Sequence, residues 1–399
     1  MAGNTEVVVV GGGYAGVMAA NRLAGRSDVT VTLVNPRPQF VERIRLHQLV
    51  AGSDDAVTEY RQVLGKRVRL AVDSATRIDA GGRAVALASG GVLGYDYLVY
   101  AVGSGSTDPG VAGAAEYAYP IAGFEQAQRL RQALGEVSQG ARVTVVGAGP
   151  TGIETAAELA EQGRAVTLVC GGVLGPYLHP RGRQAVTRRL TGLGVTVLDG
   201  PGSTVTEVTR DAVRLADGRT LPSGVTVWTA GFGVPDLAAR SGLRTDALGR
   251  LLTDETLTSV TDERIVAAGD SAAPSGVPFR MSCQAAVQLG PVAARTVLSR
   301  LAGERPAPLA IAFAGQCLSL GRRAGLFQFA HRDDRARNLL LGGRPGATLK
   351  EWVCRSTIKQ LALEARHPGL FAPPAWAMAD RGRQVREAAA PDGGVRSRY

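Results

Sequence analysis

Two glycine fingerprints of the dinucleotide-binding kind occur in this chain, about one small domain apart. Gly11-x-Gly13-x-x-Gly16 follows the apolar run Val7–Val10, and Gly147-x-Gly149-x-x-Gly152 follows the valine-rich run Val143–Val146. In such a motif the first glycine makes a tight turn, the second lets backbone approach a pyrophosphate, and the third lets the next helix pack close. The helix N-terminus then offers free N–H groups to the anion. We therefore expect two bound dinucleotides, between which electrons pass.

Composition limits the class of protein. With 399 residues and 45% hydrophobic content, the chain is expected to be globular, with two or three domains. No apolar run approaches the ~20 residues that span a bilayer, and we expect no export signal at the N-terminus. The cysteines show neither C-x-x-C nor metal-type spacing, so reduced cytosolic thiols and no metal site are predicted. They are Cys170, Cys283, Cys317 and Cys354.

The net charge of +10 does not indicate nucleic-acid binding. Arginine supplies nearly all of the basic charge, because Lys66, Lys350 and Lys359 are the lysines of the chain. No basic block is interleaved with aromatic residues, and no nucleic-acid-binding module is recognisable. The surplus charge is instead suited to attracting anionic cofactors or an acidic membrane surface.

The order of predicted elements is the same in both halves of the chain, which predicts an α/β protein with two Rossmann-like units. Each fingerprint is followed by a second valine-rich strand, at Val29–Val34 and Ala165–Val169, and then by a small β excursion. We assign Val68–Val72 to the first excursion, as part of a hairpin-like segment. Later patterns predict strands over 309–314 and 325–330, helices over 282–302 and 347–366, and disorder over 380–399.

Four further segments carry a resemblance to a known family. They are Tyr97-Leu-Val-Tyr-Ala-Val-Gly-Ser104, Thr229-Ala-Gly-Phe232, Ala267-Ala-Gly-Asp270 and Cys283-Gln-Ala-Ala-Val-Gln-Leu-Gly290. With the two fingerprints, they make residues 5–330 resemble the two-dinucleotide-binding-domain flavoproteins, and most closely the type II NADH dehydrogenases. The resemblance implies an FAD domain (1–115 and 251–320), an inserted NAD(P) domain (116–250) and a small C-terminal region (321–399). It also implies that electrons pass from NAD(P)H through FAD to a quinone or another small acceptor.

The resemblance also implies which residues form the site. Those expected to contact FAD or the nicotinamide cofactor are Gly11, Gly13, Tyr14, Ala15, Gly16, Asn35, Arg43, Ala101, Gly103, Gly147, Gly149, Thr151, Gly152, Cys170, Gly231, Gly269 and Asp270. Glu154 is expected where nicotinamide and flavin meet. Gln284 and Gln288 share a helix face because they are four residues apart, and the resemblance places them beside the quinone. Either glutamine is also able to bond the flavin or local backbone instead.

Two strand ends depart from the usual pattern, in which an acidic residue accepts the 2′-hydroxyl of the adenosine ribose. The first strand ends in Asn35, whose amide oxygen is still able to accept that hydrogen bond. The second ends in Cys170, which serves this purpose poorly, so the usual repulsion of a 2′-phosphate is missing. Because Arg181 and Arg183 lie a short loop away, this pattern favours NADPH slightly and leaves NADH open.

The alternatives that remain differ in substrate or in class. A soluble flavin reductase would act on a small molecule or a partner redox protein. A sulfide:quinone oxidoreductase would need cysteines beside the flavin, for which Cys283 and Cys354 are the plausible pair. A signalling or scaffold flavoprotein would turn over slowly.

Arg43, Arg45 and His47 are candidates for the pyrophosphate or the mouth of the site. The helix over 347–366 and the stretch from Leu370 to Trp376 leave peripheral membrane contact open. The sequence also leaves a homodimer open.

Overall fold

The computed structural model describes residues 4–371 and 381–389, and two parallel five-stranded sheets form its framework. The first part of the chain forms β1 (Thr5–Val10), α1 (Tyr14–Leu23), β2 (Val29–Asn35), β3 (Gln39–Val41), α2 (Leu46–Ala51), β4 (Val57–Glu59), α3 (Tyr60–Val63), β5 (Val68–Val72), β6 (Ala75–Asp79), β7 (Ala84–Leu87), β8 (Val92–Gly94), β9 (Tyr97–Tyr100) and β10 (Gly105–Ser106). Strands β9, β1, β2 and β5 are neighbours in one sheet, and β6, β7 and β8 form a separate antiparallel meander.

The middle of the chain builds the second sheet around the second fingerprint. It forms α4 (Ala114–Tyr117), β11 (Ala118–Pro120), α5 (Phe124–Glu136), β12 (Arg142–Val146), α6 (Pro150–Glu161), β13 (Ala165–Val169), α7 (Pro180–Gly192), β14 (Thr196–Leu198), β15 (Val205–Val208), β16 (Ala212–Leu215), β17 (Thr220–Pro222), β18 (Val225–Trp228), β19 (Phe232–Gly233) and α8 (Leu237–Arg240). The sheet order is β11-β18-β12-β13-β14, and β15, β16 and β17 form a second meander.

The last part of the chain first adds one strand to the first sheet. Residues 315–366 then form a C-terminal layer of three strands and a long helix. The elements of this last part are β20 (Leu251–Thr253), β21 (Ile265–Ala267), β22 (Ala272–Pro274), α9 (Cys283–Leu301), β23 (Gly315–Ser319), β24 (Gly325–Ala330), β25 (Ala336–Gly342), α10 (Gly343–Arg366) and α11 (Arg381–Ala389). Strand β21 pairs in parallel with β9, with Ile265 opposite Leu98. The α/β class with two Rossmann-like sheets is thereby confirmed, while the domain boundaries at 116, 251 and 321 stay a prediction.

The core of the first sheet explains its sequence. Val7–Val10 are all buried, because both faces of β1 are covered. Helices α1 and α9 lie on one face, and α8 and the meander of β6, β7 and β8 lie on the other. A strand that is covered on both faces reads as a continuous apolar run, and β-branched valine suits it. Gly290 of α9 packs so closely on the Ala15 carbonyl of α1 that a methyl group there would clash. The two helices therefore meet directly beside the first fingerprint.

Two strand predictions were wrong. Val68–Val72 is not part of a hairpin, since it pairs in parallel with β2 at the edge of the main sheet. Residues 309–314 form no strand, and β23 begins only at Gly315. The alternation in that segment is real, because Leu309, Ile311 and Phe313 are buried in the core. The Ala312 backbone, however, is paired with a side-chain amide of α9 rather than with another strand.

The predicted disorder over 380–399 was wrong for the part that the structure describes. Residues 381–389 form α11, and residues 372–380 and 390–399 lie outside the described residues. The buried Arg381 anchors this helix by donating to the backbone carbonyls of Pro274 (2.8 Å) and Val277 (2.6 Å). Its guanidinium also pairs with Glu255 at 3.2 Å. A buried arginine with several hydrogen bonds thus holds a segment whose composition alone favours disorder.

Candidate functional site

The first and third glycines of both fingerprints are required by close packing. Gly11 and Gly147 have φ values of +106° and +127°, and a methyl group on them would clash with Ala101 and Thr229 at the ends of the neighbouring strands. A methyl group on Gly16 or Gly152 would clash with the carbonyl of the first glycine in its own motif. Each turn is therefore closed against the adjacent parallel strand.

The second glycine of each fingerprint faces open space instead. A Cβ built on Gly13 or on Gly149 meets no described atom within 4 Å. These two glycines are the N-caps of α1 and α6, and neither helix start is capped by a side-chain hydrogen bond. Free N–H groups beside an open cradle fit a pyrophosphate, so the residues present fit a dinucleotide at both positions.

The ends of the second strands differ from each other. Asn35 Oδ1 accepts a hydrogen bond from the Gly12 N–H at 3.1 Å, and Asn35 Nδ2 donates to the Arg37 carbonyl at 2.9 Å. The predicted ribose acceptor therefore already holds the first glycine turn, with one lone pair of its oxygen left. Cys170 directly follows β13, and its N–H donates to the Leu198 carbonyl of β14 at 2.8 Å.

A polar cluster lies where β9 and β21 end. Ser104 Oγ donates to Asp270 Oδ2 at 2.7 Å, and Arg43 donates to Ser104 Oγ at 3.1 Å. The Arg43 guanidinium is also 3.8 Å from Asp270 Oδ2. Gly103 and Gly269 precede the two polar residues with φ values of +72° and +73°, which favour glycine. The structure thus brings together four of the residues that the resemblance assigns to the flavin.

One cavity of about 550 Å³ takes its walls from all three parts of the chain. Of the predicted site residues, those that line it are Tyr14, Arg43, Thr151, Glu154, Asp270, Gln284 and Gln288. Ala15 and Ala101 instead pack behind the first fingerprint, and Gly231 immediately precedes β19, which pairs with β10. The cavity therefore adjoins both the flavin-side cluster and the start of α6.

A buried ion pair forms one wall of the cavity. Lys350 Nζ lies 2.9 Å from Glu154 Oε1, which also accepts the Ser319 N–H at 2.9 Å. His47 Nδ1 lies 3.7 Å from Glu154 Oε2, and all three side chains are buried. Lys350 was missed as a site residue. Its signal in the sequence was that it is one of three lysines in a chain whose other basic residues are arginines.

The electrostatics of this wall follow from burial and proximity. Burial acts to raise the pKa of Glu154, but Lys350, His47 and the Ser319 N–H offset it and the pKa lies below its usual value. Burial acts to lower the pKa of Lys350, but Glu154 raises it well above the usual value. Burial dominates at His47 and lowers its pKa to about 4, so this imidazole is neutral near neutral pH. The wall therefore presents a charged Lys350–Glu154 pair.

Both predicted glutamines bond backbone. Gln288 Nε2 donates to the Ala312 carbonyl at 3.0 Å, and Gln288 Oε1 accepts the Ala312 N–H at 3.1 Å. The Gln284 amide, oriented to satisfy both neighbours, donates to the Gly315 carbonyl at 3.2 Å and accepts the Ala314 N–H at 3.1 Å. The two amides thus hold the 312–315 segment against α9, and this segment leads into the cavity wall at β23.

Three buried polar atoms of cavity-lining residues have no hydrogen-bond partner among the described residues. They are the Tyr14 hydroxyl, His47 Nε2 and Gln316 Nε2. A buried donor without a partner costs about 1–3 kcal/mol, so such atoms mark places where a ligand would be held. Burial raises the pKa of Tyr14 well above its usual value, which keeps its proton available for donation.

The thiols differ from the pair that was expected. Cys283 and Cys317 line the cavity, whereas Cys354 is buried behind it. Burial raises the pKa of Cys283 to about 12 and that of Cys354 to about 11, and it raises the pKa of Cys317 as well. Because the thiolate is the nucleophile, these are poorly reactive thiols.

The apolar residues of helix α10 form two groups that lie in different surroundings. Leu349, Trp352 and Val353 line the cavity, while Cys354 and Leu361 pack in the interior. Trp352 is nonetheless 63% exposed. Across residues 4–371 and 381–389, no helix has the length and apolar character that crossing a membrane requires.

The other basic candidates lie elsewhere. Arg45 is buried and bonded to Glu42 and Glu351 at 3.1 and 2.9 Å, so it stabilises packing rather than facing the cavity. Arg183 Nε donates to the Leu178 carbonyl at 3.1 Å, and Arg181 is exposed at the start of α7.

Comparisons with known proteins agree with this architecture. The model of the pyridine nucleotide-disulphide oxidoreductase family matches residues 5–294. The NADH dehydrogenase-like protein Rv1812c of Mycobacterium tuberculosis is 30% identical over 379 residues, covering 88% of this chain and 93% of that protein. The type II NADH:quinone oxidoreductase Ndh of the same organism is 29% identical over 350 residues, covering 76% and 74%.

Solved structures show the same fold. NDH2 of Plasmodium falciparum in complex with NADH superposes with a TM-score of 0.75 at 16% identity, covering 93% of this chain and 99% of that one. The sulfide:quinone oxidoreductase of Aquifex aeolicus superposes with a TM-score of 0.76 at 20% identity, covering 90% and 92%.

Proposed function

The chain belongs to the pyridine nucleotide-disulphide oxidoreductase family, and we propose that it passes electrons from NADH or NADPH through FAD to a quinone. The observation that carries the proposal is the cavity, because its walls come from the helix starts of both fingerprints and from the C-terminal layer. One relative is named a type II NADH:quinone oxidoreductase, which supports the same class of acceptor. Bound FAD would supply the two-electron chemistry that links a nicotinamide to a quinone.

The first fingerprint would hold FAD. Its pyrophosphate would lie in the open cradle at Gly13, with the N–H groups of α1 as donors. The cluster of Ser104, Asp270 and Arg43 would hold the polar part of the flavin, since a carboxylate accepts hydroxyl hydrogen bonds and a guanidinium donates. Close packing at Gly11 and Gly16 keeps the cradle in place.

The second fingerprint would hold the nicotinamide cofactor in the same way, at Gly149 and the start of α6. Thr151, Glu154 and Phe232 carry this side of the cavity toward the flavin cluster. The nicotinamide would therefore enter the cavity from the insert, opposite the residues that hold FAD.

The acceptor would occupy the part of the cavity nearest the C-terminal layer. Reduction of a quinone to a quinol consumes two protons, and Lys350 holds a proton at Nζ within the cavity wall. The Tyr14 hydroxyl and Gln316 Nε2 are two of the unpartnered atoms there that are able to donate to a carbonyl oxygen. Gln284 and Gln288 would act as positioning residues, because their amides fix the segment that leads to Gln316.

Oxidation of sulfide is the second candidate, and the observation that favours it is the position of Cys283 and Cys317 on the cavity. The raised pKa values of both thiols count against it, since nucleophilic attack needs a thiolate. The intact second fingerprint also favours a nicotinamide donor over sulfide.

Anaerobic stopped-flow spectroscopy of the flavin-loaded protein tests the proposal. We expect NADH or NADPH to bleach the flavin rapidly, and a water-soluble quinone then to restore its colour rapidly. Fast bleaching without a response to quinone would remove the quinone from the proposal. Bleaching by sulfide but by neither nucleotide would replace it with the second candidate.

A pair of matched variants tests which fingerprint holds which cofactor. Gly149→Ala fills the second cradle, so it should abolish bleaching by the nucleotide while the flavin content stays unchanged. Gly13→Ala fills the first cradle, so it should lower the flavin content itself. The opposite pattern would reverse the assignment of the two fingerprints.

We further propose that the protein works in the cytoplasm and touches a membrane surface from there. The four cysteines are free thiols, which suits a reducing compartment. A lipid-soluble quinone would reach the cavity past Trp352, an amphipathic side chain at the rim. Trp352→Ala should weaken co-sedimentation with anionic vesicles, whereas Val92→Ala, which removes an equally exposed apolar residue on β8, should not. Equal binding by the two variants would contradict the membrane contact.

A further inference from the structure

The end of β13 lies beside an acidic residue from the neighbouring strand. Strands β13 and β14 are parallel, with Val169 opposite Leu198, so the residues that follow them, Cys170 and Asp199, are also neighbours. The Cys170 N–H donates to the Leu198 carbonyl at 2.8 Å, and the Gly200 N–H donates to the Gly172 carbonyl at 2.7 Å. Asp199 is therefore held between two backbone hydrogen bonds, at the carboxyl ends of both strands.

This corner of the insert carries negative charge. Asp199 is exposed, and its charge adds to the effect of burial in raising the pKa of the Cys170 thiol to about 12. The segments 170–174 and 199–204 contain no lysine or arginine. A second carboxylate, that of Asp217, lies close to Gly202 at this corner. The cation nearby is Arg219, and it is paired with the Asp217 carboxylate at 2.7 Å.

The corner is also open. A Cβ built on Gly171, Gly172 or Gly200 meets no described atom within 4 Å, as at Gly149 of the fingerprint. In a Rossmann-like sheet, the carboxyl end of the second strand is where the adenosine ribose of a dinucleotide lies. The glycines therefore leave room for a ribose beside the Asp199 carboxylate.

Arg181 and Arg183, on which the expectation of NADPH rested, lie in a different part of the insert. Arg183 donates to the Leu178 carbonyl, and Gly182 between the two arginines packs on Gln328 of β24. The start of α7 thus rests on the C-terminal layer, whereas the end of β13 rests on the start of the loop that follows β14.

We infer that Asp199 takes the place of the carboxylate that is missing at the end of β13, accepts the ribose hydroxyls and selects NADH over NADPH. The inference rests on the proposed function only in that the insert binds a nicotinamide dinucleotide. A carboxylate accepts hydroxyl hydrogen bonds strongly, and it repels the two negative charges of a 2′-phosphate.

Steady-state kinetics with both nucleotides test the role of Asp199. A hydrogen bond to a charged group contributes about 1.5–3 kcal/mol, or roughly 10- to 100-fold in kcat/KM. The wild type should therefore prefer NADH by at least about tenfold, and Asp199→Asn should lower that preference by about tenfold or more. Asp211→Asn removes an exposed acid elsewhere in the insert and should leave the preference unchanged. A wild type that prefers NADPH would overturn the inference, as would an Asp199→Asn variant with unaltered preference.

Calorimetry separates this inference from the proposed electron transfer. ADP-ribose and 2′-phospho-ADP-ribose lack the nicotinamide, so their binding to the flavin-loaded protein does not depend on turnover or on the acceptor. ADP-ribose should bind the wild type more tightly than 2′-phospho-ADP-ribose does. Asp199→Asn should reduce the ratio of the two dissociation constants. This result would stand even if no quinone were reduced. Equal binding of both compounds to the wild type, or binding of neither, would overturn the inference.

Discussion

Replacing Glu154 with glutamine removes one charge of the buried ion pair while keeping the shape of the side chain. The amide oxygen is still able to accept the Ser319 N–H, so the main loss is the carboxylate that lies 2.9 Å from Lys350 Nζ. At an effective dielectric constant of about 20, the attraction across that distance is about 6 kcal/mol, opposed by the cost of burying both charges. Removing one partner of a buried pair costs about 3–5 kcal/mol, because the other charge stays buried without compensation. We expect Glu154→Gln to lower the free energy of unfolding by about 3 kcal/mol or more.

A double-mutant cycle isolates the pair. Lys350→Met should also destabilise the protein, but the combined variant should lose less than the sum, since no unpaired charge then remains buried. Thermal unfolding of the flavin-loaded protein measures this, and 3 kcal/mol corresponds to roughly 6–12 °C for a cooperative unit of 150–250 residues. Glu207→Gln is the control, because its exposed pair with Arg214 should contribute about 1 kcal/mol or less. Additive losses in the cycle would refute the ion pair.

The pH dependence of the same variant tests the role of Lys350 as a proton donor. The stabilising effect of Glu154 is lost only as pH falls through its lowered pKa, and that of Lys350 only as pH rises through its raised pKa. Both charges are therefore present across the neutral range in the wild type. In Glu154→Gln, burial lowers the pKa of Lys350 with no carboxylate to offset it. Reoxidation by quinone should then slow as pH rises, while reduction by the nucleotide should not. A flat profile in the variant would exclude Lys350 as the donor.

Three other substitutions have clear expected outcomes. Gly13→Ala should fold but lose flavin, as the flavin-to-protein absorbance ratio measures, because the methyl group enters the open cradle; Gly135→Ala in α5 should keep its flavin and gain about 0.5–1 kcal/mol of stability. Burial lowers the pKa of His47 from 6.5 to about 4, so as pH falls the unfolded state binds the proton first. The wild type should therefore lose up to about 3 kcal/mol of stability between pH 6.5 and 4, and His47→Gln should remove most of that loss, as unfolding at several pH values measures. Tyr14→Phe should leave stability unchanged or raise it, because an unpartnered buried hydroxyl is lost, and should lower kcat/KM for quinone by about 2- to 10-fold; an unchanged kcat/KM would contradict its role as a donor.

The parts of the fold that could be predicted are those whose cause is local. Both fingerprints, their flanking strands and α9 follow from glycine spacing and apolar periodicity within a few residues. The failures share a non-local cause. Val68–Val72 becomes an edge strand through pairing with β2, and Phe313 is buried beside a backbone held by Gln288. Periodicity reveals a buried face, but it does not reveal which partner satisfies the backbone.

The candidate site divides in the same way, and Lys350 shows why. Glu154 could be proposed because it adjoins a glycine motif, whereas its partner lies on α10, far along the chain. The apolar residues of α10 form no single stripe because the helix has two faces to cover. Cys354 and Leu361 pack in the interior, while Leu349 and Val353 line the cavity. Lys350 directly follows Leu349 in the sequence, and its side chain is buried and lines the cavity. On α10, the two apolar groups therefore reflect two surroundings, the protein interior and the cavity.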